Sequence, residues 1–439
     1  MSGGDENFGR PVPSRRLSRL MRMGGLAGGL AGSALAGSLR QAPRGQRPRI
    51  GDLLMTPGNA RRIATELARM RGAAMKVGQL LSMDAGNVLP PEIAAILDRL
   101  RADAEPMPPR QLRDVLDAEW GRNWIRRFET FDVRPIAAAS IGQVHRARTT
   151  DGRDLAVKIQ YPGIRTSIDS DIANIAGLIR WSGAAPSGLD LCPLMEDARR
   201  QLHEEADYVR EGGNLDRFAD RLSGSPEFAV PRRHRDFCTP NVLAMDYLPG
   251  RPIETLSVAP QDVRDGLAAR LVSLVMRELF EWNEMQTDPN FANYLVEPGT
   301  GRIALLDFGA VRPLSSDMVA AFRNLMRAGL ARDRDAARAA ARALGLIGNA
   351  TPPRQQETIL DMFDTGMSAI RDDAPFDFGT SDLALRLRDE ALEMGVERDT
   401  AHVPPSDTLL VQRKVAGTYL LAARLRARVD LGQIVAAYG

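Results

Sequence analysis

The amino-acid sequence predicts an α+β fold in which a helical extension precedes a small sheet-containing lobe and a mostly helical lobe. Three observations support this fold class. Apolar residues recur at helical spacing from about residue 51 to residue 127. Strand-like segments with a turn between them follow over residues 131–159. Helical periodicity then returns and dominates the second half of the chain.

The composition narrows the class of protein. The chain has 439 residues, of which 44% are hydrophobic, so it can bury a core of two or three domains or lobes. Its two cysteines, Cys192 and Cys238, cannot build a disulfide framework, which indicates a reducing, intracellular compartment. Four scattered histidines argue against a structural zinc site. Aromatic residues make up 5% and no recognition motif is present, which argues against nucleic-acid binding.

The first 50 residues form a basic arm. They contain nine arginines against Asp5 and Glu6 alone, although the net charge of the whole chain is only +2. Such an arm suits an anionic membrane surface. Residues 23–39 are uncharged and rich in Gly and Ala, with small residues four apart, a spacing that lets helices pack closely in lipid. They are short for a membrane span, so contact with lipid and a flexible linker both stay open.

The predicted elements follow in order. The helical extension covers 51–130, an N-lobe covers 131–245 and a mostly helical C-lobe covers 246–439. In the N-lobe, Asp151-Gly152 should turn a hairpin between IGQVHRART and LAVKIQ. Further N-lobe elements are helices at Ser167–Arg180 and Leu194–Ala219 and a buried strand at VLAMDYLPG. The C-lobe should contain a helix at Val263–Glu284, a hairpin in YLVEPGTGRIALL and helices as far as Gly439.

Two acids and an amide mark the start of the C-lobe. Asn293 lies five residues after Asp288, and Asp307 begins an Asp-Phe-Gly fourteen residues after Asn293. Phosphoryl transfer needs a metal ion held by oxygen ligands and a residue that orients the nucleophile. Kinases place a catalytic Asp, a metal-binding Asn and the DFG Asp at these intervals around a strand hairpin. We therefore predict a protein-kinase-like, bilobal fold with Asp288 as a catalytic residue and Asn293 and Asp307 as metal ligands.

The N-lobe supplies the matching phosphate-binding parts. Kinases carry a loop of the form G-x-G-x-x-G-x-V followed by a strand lysine. Here the loop reads AAASIGQV, with alanine where the first two glycines are usual, and Lys158 follows Val144 by fourteen residues. Alanine keeps a Cβ and resists positive φ, so we expect altered nucleotide handling rather than loss of binding. The predicted nucleotide-binding residues are Ala137, Ala138, Ala139, Ser140, Lys158 and Glu205.

Lys158, predicted to be catalytic, should have a carboxylate partner on a helix. The segment QLHEEADYVREGGN offers Glu204 and Glu205, whose side chains point about 100° apart on a helix. We favour Glu205. The chain contains only three lysines among its 58 basic residues, namely Lys76, Lys158 and Lys414. Lysine is a compact point charge, and it suits positions where a planar guanidinium would clash.

These residues together resemble the UbiB family of atypical kinases, also called ADCK kinases, from about residue 50 onward. The shared motifs are KxGQ at Lys76-Val77-Gly78-Gln79, the alanine-rich loop, ExD at Glu205-Ala206-Asp207, and DFG. The segments QTDPNFAN, PFDFGT and VPPSDTLLVQRKVAGTYL are similar to the coenzyme Q branch. QTDPNFAN replaces the HADPHPGN of many bacterial members but keeps Asp288 and Asn293.

The resemblance implies a kinase-like fold whose KxGQ helix lies across the active site, with Lys76, Gly78, Gln79 and Asp207 as regulatory residues. It implies ATP or ADP with Mg²⁺ as ligands, ATPase activity, and support of ubiquinone biosynthesis at a membrane. The expected partners are quinone-biosynthesis enzymes or lipid intermediates, and the expected location is the cytoplasmic side of the inner membrane. A homodimer stays open.

Three functions remain open from the sequence: an ATPase or small-molecule kinase, a protein kinase, and a nucleotide-gated scaffold. DFGAVRPL passes directly into a helical pattern, so no long activation segment is available to dock a peptide. Thr287 stands where protein kinases have the arginine that binds an activation-loop phosphate. We therefore favour the first function. An aminoglycoside-type phosphotransferase is more distant, because the KxGQ motif argues against it.

Overall fold

The computed structural model describes residues 106–139, 141–182, 192–372, 374–396 and 404–438. The basic arm, the greater part of the helical extension and the KxGQ residues Lys76, Gly78 and Gln79 lie outside the described residues, as does Ser140.

The described helices and strands are named here in chain order. The helices are α1 (Pro109–Trp120), α2 (Ile164–Ser182), α3 (Cys192–Glu205), α4 (Tyr208–Arg221), α5 (Gln261–Phe280), α6 (Ser316–Ala331), α7 (Arg334–Ala343), α8 (Pro353–Arg371), α9 (Leu383–Val396), α10 (Ser406–Leu425) and α11 (Leu431–Ala436). The strands are β1 (Phe128–Phe131), β2 (Ala137–Ala138), β3 (Gly142–Thr149), β4 (Asp154–Gln160), β5 (Phe228–Ala229), β6 (Val242–Asp246), β7 (Arg251–Pro252), β8 (Glu284–Gln286), β9 (Tyr294–Val296), β10 (Ile303–Leu305), β11 (Val311–Pro313), β12 (Phe376–Asp377) and β13 (Arg428–Val429).

The chain divides into two compact units. Unit 1 consists of the residues up to Gly213 together with Arg232–Tyr247, and unit 2 consists of Asn214–Pro231 together with Leu248–Gly439. The division falls within α4, between Gly213 and Asn214.

Unit 1 is built on an antiparallel sheet in the order β1-β3-β4-β6, with β2 paired to β3. Alternate residues of β4 point into the core, and Leu155, Val157 and Ile159 are fully buried there. Each such side chain contributes roughly 1.5–3 kcal/mol by leaving water. The predicted hairpin between β3 and β4 is confirmed, and Gly152 in its turn has a φ of 90°. The predicted strand at VLAMD is β6, the neighbour of β4.

Unit 2 combines short sheets with helices. One sheet has the order β5-β10-β9-β7, and β8 pairs with β11 in a separate ladder. The predicted hairpin is confirmed as β9 and β10, and its turn contains Gly299 and Gly301 at positive φ. The core of α6, α7 and α8 contains alanines on facing helix surfaces. At Gly329 of α6, an added Cβ would lie 2.8 Å from side-chain atoms of Met367 and Phe363 of α8, so a larger residue would require these side chains to shift.

Two predicted helices are corrected. The segment Leu194–Ala219 forms two helices, α3 and α4, because the side chain of Asp207 caps a new helix start. The helix predicted to reach Glu284 ends at Phe280. Asn283 then adopts a φ of 48°, a left-handed conformation that asparagine accepts more readily than most residues, and β8 follows.

Candidate active site

Lys158 of unit 1 is held in a buried ion pair with Glu211. Lys158 lies on the central strand β4, opposite Val144 of β3 and Leu243 of β6. Its Nζ donates to Oε1 of Glu211 at 2.7 Å and to Oε2 at 2.9 Å. Lys158 is 7% exposed and Glu211 is 2% exposed, so the pair is shielded from water. Nζ also lies 5.2 Å from the centroid of the Tyr208 ring.

The predicted pairing of Lys158 with Glu205 is therefore wrong. Glu205 is the last residue of α3, whereas Glu211 lies in the first turn of α4. Oδ1 of Asp207 accepts a hydrogen bond from the backbone N–H of Arg210 at 3.0 Å, which makes Asp207 the N-cap of α4. The ExD aspartate thus begins the helix that presents the carboxylate to Lys158. The sequence signal that could have identified Glu211 is Asp207 as a helix N-cap, since Glu211 then falls in the first turn of the new helix.

The alanine-rich loop forms the β2–β3 hairpin. Ala137 pairs with Val144 and Ala138 pairs with Gln143, while the backbone N–H of Ala139 donates to the carbonyl of Gly142 at 2.9 Å. Ala137 and Ala138 are exposed. Ser140, predicted with them, is outside the described residues.

The strand after this loop is fixed by two close contacts within unit 1. A Cβ added at Gly142 would lie 2.4 Å from the carbonyl oxygen of Ile159 and 2.8 Å from the hydroxyl of Tyr208, so no larger residue fits there. The sequence pattern identified Gly142 only as the third glycine of the loop. The structure gives it a packing role between β4 and α4.

A buried chain of hydrogen bonds runs through two side chains of β3, Gln143 and His145. The backbone N–H of Met107 donates to Oε1 of Gln143 at 2.8 Å, and Nε2 of Gln143 lies 2.8 Å from Nε2 of His145. Nδ1 of His145 lies 2.7 Å from the carbonyl oxygen of Asp132. The chain is complete when a neutral His145 carries its proton on Nδ1. Burial lowers the pKa of His145 from 6.5 to about 4, which favours this neutral form.

Asp288 and Asn293 of unit 2 lie on the segment between β8 and β9, which we call the catalytic loop (residues 287–293). Nδ2 of Asn293 donates to Oδ2 of Asp288 at 3.0 Å. This bond turns the amide oxygen Oδ1 of Asn293 away from Asp288 and makes it the atom available as a metal ligand. Thr287, in place of the kinase arginine, donates from its backbone N–H and from Oγ1 to the carbonyl of Ala310.

Asp307 follows β10 directly. Its Oδ1 accepts a hydrogen bond from the backbone N–H of Gly309 at 3.0 Å. The N–H of Leu306 donates to the carbonyl of Asn293 at 3.1 Å, so the two predicted metal ligands are joined through adjacent backbone. Phe308 is buried, and its carbonyl accepts a hydrogen bond from Nδ2 of Asn214 at 2.8 Å. The structure therefore brings Asp288, Asn293 and Asp307 together in unit 2.

Lys414 of α10 forms a second buried cluster, for which the sequence predicted no role. Its Nζ donates to Oε1 of Gln286 at 3.2 Å and to the hydroxyl of Tyr294 at 3.1 Å, and it lies 3.6 Å from Oε2 of Glu278. Burial lowers the pKa of Lys414, but the attraction of the Glu278 carboxylate and other neighbours outweighs burial, so the net direction is upward. The charged ammonium is thus favoured at neutral pH, while burial raises the pKa of its partner Glu278 and Lys414 opposes that rise. The preceding residue, Arg413, lies 3.8 Å from Oδ1 of Asp288.

Unit 1 supplies a lysine on a central strand, and unit 2 supplies two carboxylates and an amide. These are the groups that a kinase uses to bind phosphates and metal. Comparisons with known proteins support a kinase-like class. Residues 99–341 match the ABC1 atypical kinase-like domain. The chain therefore belongs to the ABC1 family of atypical kinase-like proteins, a kinase-like phosphoryl-transfer family.

Individual relatives cover nearly the whole chain. Atypical kinase COQ8, mitochondrial, of Saccharomyces cerevisiae is 37% identical over 425 residues, which are 96% of this chain and 84% of the relative. Atypical kinase COQ8B, mitochondrial, of Rattus norvegicus is 35% identical over 431 residues, 97% of this chain and 80% of the relative. The solved complex of Rv3197 with erythromycin from Mycobacterium tuberculosis has 26% identity and a TM-score of 0.60, covering 86% of this chain and 95% of that chain.

These findings confirm the resemblance to the UbiB and ADCK atypical kinases, the kinase-like bilobal α+β fold and the class of enzyme. Among the residues that the structure describes, no helix has both the length and the apolar character needed to cross a membrane.

Proposed function

We propose that this chain is a Mg²⁺-dependent ATPase, or an atypical kinase for small molecules, that supports coenzyme Q biosynthesis at a membrane. One observation carries the proposal: the hydrogen bond from Asn293 to Asp288 beside Asp307, at the intervals that phosphoryl transfer uses. The names of the relatives support the kinase class and, through COQ8, the link to coenzyme Q.

The residues fit a magnesium–nucleotide complex. Mg²⁺ prefers carboxylate and amide oxygens, and Oδ1 of Asn293 and the Asp307 carboxylate would hold it. When bound, the metal would neutralise charge on the terminal phosphates. Asp288 would orient the attacking hydroxyl or water. Lys158, held in place by Glu211, would contact the phosphates as a point charge.

The alanine-rich hairpin would cover the phosphates. Ala137 and Ala138 are exposed on β2, where their backbone could approach an anionic ligand less closely than glycine would allow. This supports nucleotide binding with an unusual preference between ATP and ADP. Asp207, together with Lys76, Gly78 and Gln79 of the KxGQ motif, would restrain the site.

The segment after Asp307 favours a small-molecule reaction over phosphorylation of a protein. β11 ends at Pro313, and α6 begins at Ser316 with Ser315 as its side-chain cap. Protein kinases need an extended activation segment at this position to dock a peptide. The short connection between Asp307 and Ser316 leaves no such segment.

We place the protein in the cytoplasm, peripherally on the inner membrane, with the arm of residues 1–50 on anionic lipid. Its partners would be quinone-biosynthesis enzymes or lipid intermediates. The names of the relatives say mitochondrial, which agrees with a function at an energy-converting membrane.

Complementation of a quinone-deficient strain tests the proposal. Wild type should restore quinone synthesis, whereas Asp307→Asn and Asp288→Asn should not. In calorimetry, wild type should bind Mg·ATP, and Asp307→Asn should bind it more weakly. A flat titration of wild type, or full complementation by Asp307→Asn, would refute an activity that depends on this site. Binding without hydrolysis, combined with full complementation by Asp288→Asn, would indicate a nucleotide-gated scaffold.

A further inference from the structure

Helix α10 carries three residues that contact the catalytic loop or its flanking strands. Arg413, Lys414 and Gly417 lie at positions i, i+1 and i+4 of the helix, and we call them the α10 platform. None of the three belongs to the catalytic loop, the alanine-rich loop or the DFG motif. All three lie in unit 2 together with the catalytic loop.

Lys414 binds a residue at each end of the catalytic loop. Gln286 is the last residue of β8, immediately before the loop, and Tyr294 is the first residue of β9, immediately after it. One ammonium group accommodates both side chains, at 3.2 and 3.1 Å. Glu278 of α5 supplies the opposite charge and also accepts a hydrogen bond from the backbone N–H of Gln286 at 3.3 Å. One buried ammonium, paired with Glu278, thus contacts the residues on both sides of the loop.

Arg413 lies near the oxygen of the proposed catalytic aspartate that Asn293 does not bond. Its Nη2 lies 3.8 Å from Oδ1 of Asp288, while Oδ2 of Asp288 accepts the hydrogen bond from Asn293. The Arg413 side chain is only 7% exposed, so water screens its charge weakly. The two oxygens of Asp288 are thus distinguished, since one faces a cation and the other an amide.

Gly417 brings the helix against the loop backbone. A Cβ added at Gly417 would lie 2.1 Å from Cβ of Pro289, far too short for a non-bonded contact. Pro289 directly follows Asp288, and its ring restricts the backbone at that point. The helix surface at Gly417 therefore limits how far the loop can move toward α10.

We propose that Arg413, Lys414 and Gly417 are positioning residues that hold the catalytic loop in the geometry needed for phosphoryl transfer. The inference rests on the proposed function, because it takes Asp288 as the residue that acts on the reacting groups. The alternative is that Lys414 only neutralises Glu278 and stabilises the packing of α10 on α5. The two explanations differ in what happens when both charges are removed together.

The decisive variant is Glu278→Gln combined with Lys414→Met. Lys414→Met alone leaves the Glu278 carboxylate buried without its cation and is expected to destabilise the fold. The double variant removes both charges and should unfold at a urea concentration near that of wild type. If Lys414 positions the loop, the double variant still loses kcat by about 10- to 100-fold, with a smaller change in KM for Mg·ATP. Its amides at 287–293 should exchange hydrogen faster than those of wild type.

Matched controls separate positioning from general damage. Arg413→Gln should lower kcat, whereas Arg424→Gln, at an exposed position of the same helix, should not. Gly417→Ala should also lower kcat, whereas Gly266→Ala in α5, where a Cβ meets nothing within 4 Å, should not.

Wild-type kcat and wild-type exchange at 287–293 in the Glu278→Gln/Lys414→Met variant would overturn the proposal. Hydrogen exchange reports on the loop without requiring catalysis. If wild type neither binds nor hydrolyses Mg·ATP, the proposed function fails, and exchange at 287–293 still decides whether the α10 platform orders the loop.

Discussion

Replacing Glu211 by glutamine should destabilise the protein and weaken nucleotide binding. The Glu211 carboxylate is 2% exposed and accepts two hydrogen bonds from Lys158, at 2.7 and 2.9 Å. Glu211→Gln leaves a buried ammonium beside a neutral amide. Removing one partner of a buried pair costs about 3–5 kcal/mol, and the glutamine oxygen retains one acceptor, so we expect about 3 kcal/mol. Urea unfolding followed by tryptophan fluorescence measures the loss, since Trp120 and Trp124 both lie in unit 1.

Two further variants make this prediction sharp. Glu205→Gln is the matched control, because Glu205 ends α3 and does not supply the two short hydrogen bonds to Lys158. It leaves both hydrogen bonds between Lys158 and Glu211 in place, so it should not produce the loss that removing the Glu211 carboxylate produces. Lys158→Met combined with Glu211→Gln removes both charges, so it should recover most of the stability but should not bind Mg·ATP with wild-type affinity. Equal losses from Glu205→Gln and Glu211→Gln would refute the assignment of the pair.

Three other predictions concern pH, the alanine-rich loop and the arm. Because burial keeps His145 neutral with a pKa of about 4 and the unfolded side chain titrates near 6.5, the unfolded state binds the extra proton between these values. The free energy of unfolding should therefore fall by up to about 3 kcal/mol from pH 6.5 to pH 4, and His145→Gln, measured by urea unfolding, should lack this component. Ala137→Gly and Ala139→Gly should change the ratio of ATP to ADP affinity in calorimetry; identical affinities would contradict the proposed role of the loop. Deleting residues 1–48 should reduce sedimentation with anionic liposomes without altering Mg·ATP binding, and equal sedimentation would exclude the arm as the membrane contact.

The sequence correctly predicted two hairpins that are specified by neighbouring residues. Alternating apolar residues and Asp151-Gly152 predicted the β3–β4 hairpin correctly, because a tight turn and two short strands are specified within about twenty residues. The intervals between Asp288, Asn293 and Asp307 predicted a local group for the same reason, since a hairpin brings the two ends of that segment together. Local patterns also failed where a cap interrupts a helix, as Asp207 does between α3 and α4.

The partners of the buried lysines could not be predicted in this way. Glu211 is 53 residues from Lys158 in sequence, and Gln286 and Tyr294 are 128 and 120 residues from Lys414. Nothing in the local pattern around either lysine selects one distant carboxylate or amide over another. Only the packing of strands and helices decides which side chains meet. For Lys158, the sequence pointed to the acidic segment that supplies the partner but not to the carboxylate within it that faces the lysine.

The rarity of lysine in this chain nevertheless has a physical explanation at both described positions. Lys158 and Lys414 are each buried beside a carboxylate. Each ammonium donates hydrogen bonds to two acceptor atoms: both carboxylate oxygens of Glu211 for Lys158, and Gln286 and Tyr294 for Lys414. An ammonium donates in three directions from one small centre, whereas a guanidinium is planar and needs room for five donors. Arginine suffices in surface ion pairs such as Arg334 with Glu357, which tolerate many geometries. In an arginine-rich chain, a lysine therefore indicates a confined anionic environment, and both described lysines occupy one.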